Sequence, residues 1–403
     1  MAKWLEKTLG EVTAFIAKGI PPKYTEEENE NTVRVLNQKC NRNFEISYNE
    51  SRIHDCEKKK VPVDKMLRAG DVLINSTGTG TAGRVAQMVE VTVPTTIDGH
   101  MILIRPSEEL DPIYYGYAVK SFQSQIEGLA EGSTGQTEIN RRRLQDEVII
   151  RYPSDKLVQK NIGSFLANID EKIKTNKEIN KNLLEQALAI YKGWFCDYAL
   201  SDGILPENWK ITTIDAISSL VTRGIAPKYD DSSDQIVLNQ KCIRDYTIDI
   251  SLSRRHLPKK INEKWISKGD LLINSTGTGT LGRVAQVWFE ANNMTVDSHV
   301  TIVRPKDPIL QSYIGFWGLS HESEIEAQHT GSTGQTELPR DRVKAMELPL
   351  PDEDTLSKFN ELVIPMTSTV ISNQEENDRL SQLRDALLPK LMSGELDVSN
   401  IDL

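Results

Sequence analysis

Three glycines stand at the spacing of a cofactor-binding turn, and the arrangement occurs twice. Gly78, Gly80 and Gly83 fit G-x-G-x-x-G, and so do Gly277, Gly279 and Gly282. Asp98 lies twenty residues beyond Gly78, where a dinucleotide fold keeps its ribose-binding acid. That chemistry needs a strand before the glycines and a helix after them, because the helix N-terminus holds the pyrophosphate. The strand is present as Val72-Leu73-Ile74. After the glycines the chain continues as Arg84-Val85-Ala86-Gln87-Met88-Val89 in one copy and Val284-Ala285-Gln286-Val287-Trp288-Phe289 in the other. These segments alternate as strands do and carry no helix start signal. A Walker-type phosphate loop shares the spacing of Gly78 and Gly83, but Arg84 and Val85 replace the Lys and Ser/Thr that bind phosphate and Mg²⁺. A strand, a polar Gly/Thr loop and a second strand remain. Two readings fit them: a tight turn in a β scaffold, and a loop presented to a polar surface such as DNA.

No other cluster supplies a reaction centre. His100 and His299 close the matched triplets Asp98-Gly99-His100 and Asp297-Ser298-His299, with no Ser or Cys nucleophile set beside them, so structural hydrogen bonds are expected. Cys40, Cys56, Cys196 and Cys242 show neither C-x-x-C nor metal-ligand spacing, and read as free thiols of a reducing cytoplasm. Ile20-Pro21-Pro22-Lys23-Tyr24 is superficially similar to the N/D-P-P-Y/F motif of amino-methyltransferases. It lacks the leading Asn/Asp and inserts Lys23, which assigns it to a turn. The expectation is therefore no catalytic residue, no metal and no cofactor in this chain. The net charge of −10 argues against coating nucleic acid by bulk charge but permits a local basic face. No signal peptide and no apolar run of membrane length is seen, which points to a cytoplasmic protein without a membrane partner.

The elements that position these loops form a long internal repeat. Gly70–Gln87 reads GDVLINSTGTGTAGRVAQ and Gly269–Gln286 reads GDLLINSTGTGTLGRVAQ, an offset of 269 − 70 = 199 residues. Upstream, Trp4 matches Trp209, and Val35-Leu36-Asn37-Gln38-Lys39-Cys40 matches Val237-Leu238-Asn239-Gln240-Lys241-Cys242. Downstream, Gly132-Ser133-Thr134-Gly135-Gln136-Thr137-Glu138 matches Gly331-Ser332-Thr333-Gly334-Gln335-Thr336-Glu337, with Arg141 or Arg340 close behind. Such amides, hydroxyls and guanidinium groups can pair with base edges or phosphate; the bland alternative is a loop that caps the next helix. Each repeat then closes on proline (Pro153; Pro349 and Pro351) and enters a long amphipathic helix.

The helices are expected roughly over Asp155–Phe195 and Asp354–Met392, of which about 35 residues each would give a ruler of roughly 50 Å at 1.5 Å per residue. Ile162, Leu166, Ile169, Ile173, Asn176, Asn180, Leu183, Ala187, Ile190 and Trp194 follow steps of four and three, a heptad seam. Phe359, Val363, Met366, Val370, Asn373, Asn377 and Leu380 do the same, with Pro365 expected to kink or restart that helix. Asparagines at seam positions fix register. Since 176 + 377 = 180 + 373, antiparallel pairing would set Asn176 against Asn377 and Asn180 against Asn373. Phe165, Leu184, Leu188, Tyr191 and Phe195 lie beside the first seam, as surface for a partner or cover for the globular parts.

The duplicated order of these motifs resembles the specificity subunit of type I restriction–modification systems, over essentially the whole chain. The resemblance implies an α+β fold: β-rich target recognition domains at 1–154 and 197–353, spacer helices at 155–196 and 354–394, and a tail at 395–403. It implies two domains related by a pseudo-twofold and joined by helices that pair as an antiparallel coiled coil. Each domain would read one half of a split site in double-stranded DNA. The helices would set the spacer and dock two methyltransferase subunits, to whose core motor-nuclease (restriction) subunits can join. S-adenosylmethionine would belong to the methyltransferase, which would close on the duplex to flip an adenine. The two domains are unusually alike, so similar half-sites are expected, with differences arising in residues 41–69, 88–97 and 107–131 and their counterparts. The DNA-facing candidates are Thr77, Thr79, Arg84, Ser133, Thr134, Gln136 and Arg141, and Thr276, Thr278, Arg283, Ser332, Thr333, Gln335 and Arg340. Lys23, Lys39, Lys228 and Lys241 are candidates for phosphate contact. The alternatives are an orphan DNA-binding scaffold, which co-purification would distinguish, and a self-sufficient methyltransferase, which would need the cofactor loop and the N/D-P-P-Y/F motif that this chain lacks.

Overall fold

The computed structural model describes residues 3–132, 137–257, 261–331 and 336–396. The chain divides into two units, one of residues 1–174 with 377–403 and the other of 175–376. Each holds one β-rich body together with parts of both long helices.

In the first unit a four-stranded antiparallel sheet runs in the order Thr13–Lys18, Met101–Pro106, Val72–Asn75, Val85–Gln87. Val72-Leu73-Ile74 is an unbroken apolar run because both faces of this sheet are covered. Val72 and Ile74 face the core that holds Tyr114 and Tyr115, while Leu73 faces a second core with Leu36, Cys40, Met88 and Ile97. That second core lies toward another four-stranded sheet, ordered Thr95–Ile97, Thr32–Leu36, Arg52–Asp55, Tyr24–Thr25. The helix Pro112–Ser121 covers the opposite face; the Asp111 carboxylate caps it by accepting from the Ile113 and Tyr114 amides, each at 3.0 Å.

The second unit repeats the plan. Its sheet runs Ser218–Arg223, Val300–Pro305, Leu271–Asn274, Val284–Gln286, with Leu271 and Ile273 facing one core and Leu272 the other. Ile236–Leu238 pairs with Arg254–Arg255 and Met294–Val296 in the smaller sheet.

The long helices span Lys156–Phe195 and Glu353–Ser393, 40 and 41 residues, within one residue at each end of the bounds read from the sequence and each about 60 Å long. In the first unit Ile162 and Leu166 share a core with Leu388, Leu391 and Met392. In the second, Ala187 and Tyr191 share one with Leu356, Phe359 and Val363. The start of one helix thus meets the end of the other in each unit, which is antiparallel pairing. Asn373 Nδ2 donates to Asn180 Oδ1 at 2.8 Å, as the register arithmetic expects. Asn176 Nδ2 donates to Glu376 at 2.7 Å, a partner the arithmetic did not name. The pair Asn176–Asn377 joins residues of different units and stays an expectation.

Two points that the helix pattern left open are resolved. The second helix continues through Pro365 without a restart; Thr369 Oγ1 donates to the Pro365 carbonyl at 2.9 Å. Packing along both flanks outweighs one missing backbone hydrogen bond. The apolar back of the first helix is not spare surface. Leu184, Tyr191 and Phe195 are buried, and Phe195 packs on Trp209, Tyr313 and Phe359 at ring separations of 5.7, 5.0 and 5.0 Å. Phe165 and Leu188 are partly buried against the cores of their own units. A straight helix drifts by about 20° per heptad, so its buried stripe leaves Leu183, Ile190 and Trp194 for this neighbouring face.

Candidate nucleic-acid interface

The repeated Gly/Thr loop joins two strands, Val72–Asn75 to Val85–Gln87 and Leu271–Asn274 to Val284–Gln286. A strand comes after the glycines in both copies, so no helix N-terminus is offered to a pyrophosphate. Gly83 and Gly282 have φ of +86° and +83°, and a Cβ there would lie 2.6 Å from Glu127 Cα or 2.9 Å from Glu326 Cα. The loop is thus seated on the short helices Gln123–Gly128 and Glu322–Ala327. Gly80 and Gly279, both at φ +72°, have nothing within 4 Å of a built Cβ and form the open side. Gln38 and Gln240 brace the loop from behind. Their carbonyls accept from Asn75 and Asn274 Nδ2 at 3.0 Å, and their side-chain oxygens accept from Thr81 and Thr280 at 3.4 Å.

The end of the second matched block, Glu138-Ile139 or Glu337-Leu338, pairs with the first loop. The Ile139 and Leu338 amides donate to the Ser76 and Ser275 carbonyls, each at 2.8 Å, which pairs Thr77 with Glu138 and Thr276 with Glu337. Glu138 forms an ion pair with Lys18, and Glu337 with Arg223 at 2.5 Å. The histidine turns join the same ladder, because the Ser76 and Ser275 amides donate to the His100 and His299 carbonyls at 2.8 Å. Asp98 and Asp297 hold these turns by accepting the His100 and His299 amides at 2.9 Å; burial pushes both carboxyls above the usual carboxylate range. Burial likewise raises Glu322, which accepts from the Val284 amide at 2.7 Å, where the first copy uses the neutral Gln123 at 3.1 Å.

The expected contact residues divide by position. Thr79 and Thr278 are exposed at the loop tips, while Thr77 and Thr276 are half-buried and hydrogen-bonded to His100 and His299 at 2.9 and 2.8 Å. Arg84 is half-buried and spends one donor on the Gly80 carbonyl at 3.0 Å; Arg283 is half-buried at the matching place. Arg141 and Arg340 are exposed and open the short helices Arg141–Glu147 and Arg340–Lys344. Asn140 caps the first of these, accepting from Arg142 at 3.0 Å and Arg143 at 3.3 Å. Lys39 and Lys241 are exposed beside the bracing glutamines. Lys23 and Lys228 are exposed but lie beside the smaller sheets, next to Tyr24 of an edge strand and Tyr229, which bridges His256; Arg52 and Arg254 stack over these tyrosines at 3.4 Å. Ser133, Thr134, Gln136, Ser332, Thr333 and Gln335 lie outside the described residues. The sequence reading missed the Lys18–Glu138 and Arg223–Glu337 pairs. Lys18 and Arg223 differ by 205, the offset of Trp4 and Trp209, so the repeat itself marked them.

Among the described residues no group of three or more His, Cys, Asp or Glu is placed to hold a metal, and no helix is long and apolar enough to cross a membrane. The four cysteines are free thiols.

Residues 1–185 match the family described as Type I restriction modification DNA specificity domain. The chain is 25% identical over 309 residues to the type I restriction enzyme MjaIX specificity subunit of Methanocaldococcus jannaschii, covering 72% of this chain and 69% of that protein. It is 22% identical over 315 residues to the HindI specificity subunit of Haemophilus influenzae, covering 60% of this chain and 68% of the other. The fold is shared with a crystal structure of a type I restriction–modification S subunit from M. genitalium, with a TM-score of 0.59, 17% identity and coverage of 97% and 96%. Residues 1–185 thus match the specificity-domain family, and the chain is similar to type I restriction–modification specificity subunits over most of its length.

Proposed function

We propose that this chain directs a type I restriction–modification complex to a bipartite DNA sequence and has no catalytic centre of its own. Each body reads one half-site through its paired Gly/Thr and GSTGQTE loops, and the long helices set the spacer and dock two methyltransferase subunits. Restriction subunits join through that core, and S-adenosylmethionine is bound by the methyltransferase. The observation that carries this reading is the doubling of one polar loop pair on two matched scaffolds, alongside kinship to specificity subunits. A reader of a split site needs two such surfaces; an enzyme with one centre does not. Exposed apolar side chains on the long helices, Leu157 and Leu383 in one unit and Leu362 and Ile364 in the other, support docking of a protein partner. The near-identity of the loops supports similar half-sites.

The test is a base-resolution map of methylated adenines in cells with the chain and its methyltransferase, against cells lacking only the chain. A split motif that vanishes with the chain is the expected result. Unchanged methylation would leave an orphan DNA-binding scaffold as the reading to pursue.

A further inference from the structure

We propose that His100 and His299 contact the DNA themselves through Nε2, one in each body; this rests on the reading of the chain as a DNA-specificity subunit. Both side chains are exposed, yet neither ring is free to turn. Nδ1 is tied to Thr77 or Thr276 Oγ1 at 2.9 and 2.8 Å, and each backbone amide is tied to the preceding aspartate at 2.9 Å. Fixing an exposed ring costs rotamer entropy, and a group ordered in advance loses less on binding. Holding the turn requires only Nδ1. Nε2 has no hydrogen-bond partner among the described residues, and so remains for a ligand.

The place of that nitrogen gives the ligand. His100, Ser76 and Ile139 lie on one run of backbone hydrogen bonds, as do His299, Ser275 and Leu338. The imidazole therefore sits where the Gly/Thr loop meets Glu138-Ile139 in one body and Glu337-Leu338 in the other. Lys18, opposite Ile102 in the sheet, and Arg223, opposite Thr301, bring a cation to the same ladder in each copy, ion-paired there with Glu138 or Glu337. With the ring held at Nδ1, Nε2 is the atom that faces the ligand. It donates to phosphate oxygens or the purine N7 and O6 edge when Nδ1 accepts the threonine hydroxyl. It accepts from the amino groups of adenine or cytosine when Nδ1 carries the proton and the hydroxyl turns elsewhere, as Thr276 can toward Gln240.

The test separates the two ring nitrogens, using the complex of the full chain with its methyltransferase. A pool of duplexes of about 40 base pairs with a randomised centre first yields the motif enriched by the wild type. His100→Asn with His299→Asn keeps an amide at the Nδ1 position and removes the outward atom. His100→Gln with His299→Gln places an amide near the Nε2 position. The Asn pair is expected to bind the wild-type motif about tenfold more weakly or worse, with an unchanged unfolding midpoint, and the Gln pair to stay close to wild type. If the Asn pair binds as the wild type does, or both pairs fall equally, Nε2 is not the contacting atom and the inference is wrong while the specificity reading stands. A wild-type complex that enriches no split motif overturns both.

Discussion

The asparagine pair between the long helices can be weighed by a double-mutant cycle. Asn180 is 8% exposed; its Oδ1 accepts from Asn373 Nδ2 at 2.8 Å and its Nδ2 donates to the Val370 carbonyl at 3.2 Å. Asn373→Leu leaves the buried Asn180 oxygen without this donor, a loss of about 1–3 kcal/mol. Asn180→Leu strands Asn373, which is half-buried and can turn toward water, so the loss is near the lower end, about 1 kcal/mol. Replacing both leaves no orphan and adds an apolar contact, so the double variant is near neutral or more stable. The expected coupling, the sum of the two single losses against a near-neutral double variant, is about 2–4 kcal/mol in favour of the matched pairs. Urea unfolding followed by tryptophan emission suits the question. Trp194, Trp209, Trp265, Trp288 and Trp317 all lie in the unit that holds this asparagine pair, and only Trp4 lies in the other. Additivity within about 0.3 kcal/mol would show that water satisfies both amides and that the pair specifies no register.

Three further outcomes are expected. Gly282→Ala should destabilise the second unit by more than about 2 kcal/mol, because left-handed strain adds to a clash with the Glu326 backbone, while Gly279→Ala, with open space, should lose only about 1 kcal/mol; equal losses in the same urea assay would refute the seating of the loop. Asp352 accepts from the Thr355 amide at 2.9 Å, Thr355 Oγ1 at 3.0 Å, Trp209 Nε1 at 3.0 Å and Asn208 at 3.1 Å, and the Thr355 amide leads in holding its carboxyl down to about 2. A depressed carboxylate stabilises above its unfolded value of about 3.9 and loses that contribution as pH falls toward the folded value. The stability gap between wild type and Asp352→Asn should therefore be constant at neutral pH and close between about pH 4 and 2; a gap independent of pH would refute it. Removing one heptad from each long helix should shorten the spacer in the methylated motif by about three base pairs, from about 10 Å of lost helix, and an unchanged spacer in the methylation map would sink the ruler.

The parts of the fold legible in the sequence are those set by local pattern. The run Val72-Leu73-Ile74 marks a strand covered on both faces, and the absence of a helix start after Gly83 identifies the hairpin. The seam steps locate both helices and the Asn180–Asn373 contact. Where the globular body competes for the helix surface, the heptad pattern misassigns the stripe: Leu184, Tyr191 and Phe195 are buried, the last two in an aromatic core made of distant segments. The candidate site was half legible for the same reason. The loops announce themselves by repetition, but Thr77 meets His100 across 23 residues and Lys18 meets Glu138 across 120. No periodicity encodes those distances; sheet order does.

Identity between the two loops can arise from shared scaffolding or from a shared surface partner, and the cores of the two units help to separate these causes. Buried positions have diverged: Tyr115, Tyr117 and Ala118 in the first body are matched by Ile314, Phe316 and Trp317 in the second. Around Tyr117 the first unit uses a polar set, with Tyr117 donating to Asp170 at 2.5 Å and Arg384 reaching the other oxygen at 2.5 Å. The second unit places Phe316, Thr367 and Ala187 at the matching positions. Packing has therefore tolerated substitution at sites where a single methylene is felt. Thr79 and Thr278 are exposed, and a Cβ at Gly80 or Gly279 would meet nothing within 4 Å, yet these tips are identical. The left-handed φ of +72° accounts for the two glycines, but internal packing gives no reason for the identity of Thr79 and Thr278; a common ligand at the surface would. The same logic ranks Arg84 lower, because its hydrogen bond to the Gly80 carbonyl already accounts for it within the loop. A scan of affinity and motif should therefore lose more at Thr79 and Thr278 than at Arg84, and the reverse order would assign the loop to scaffolding.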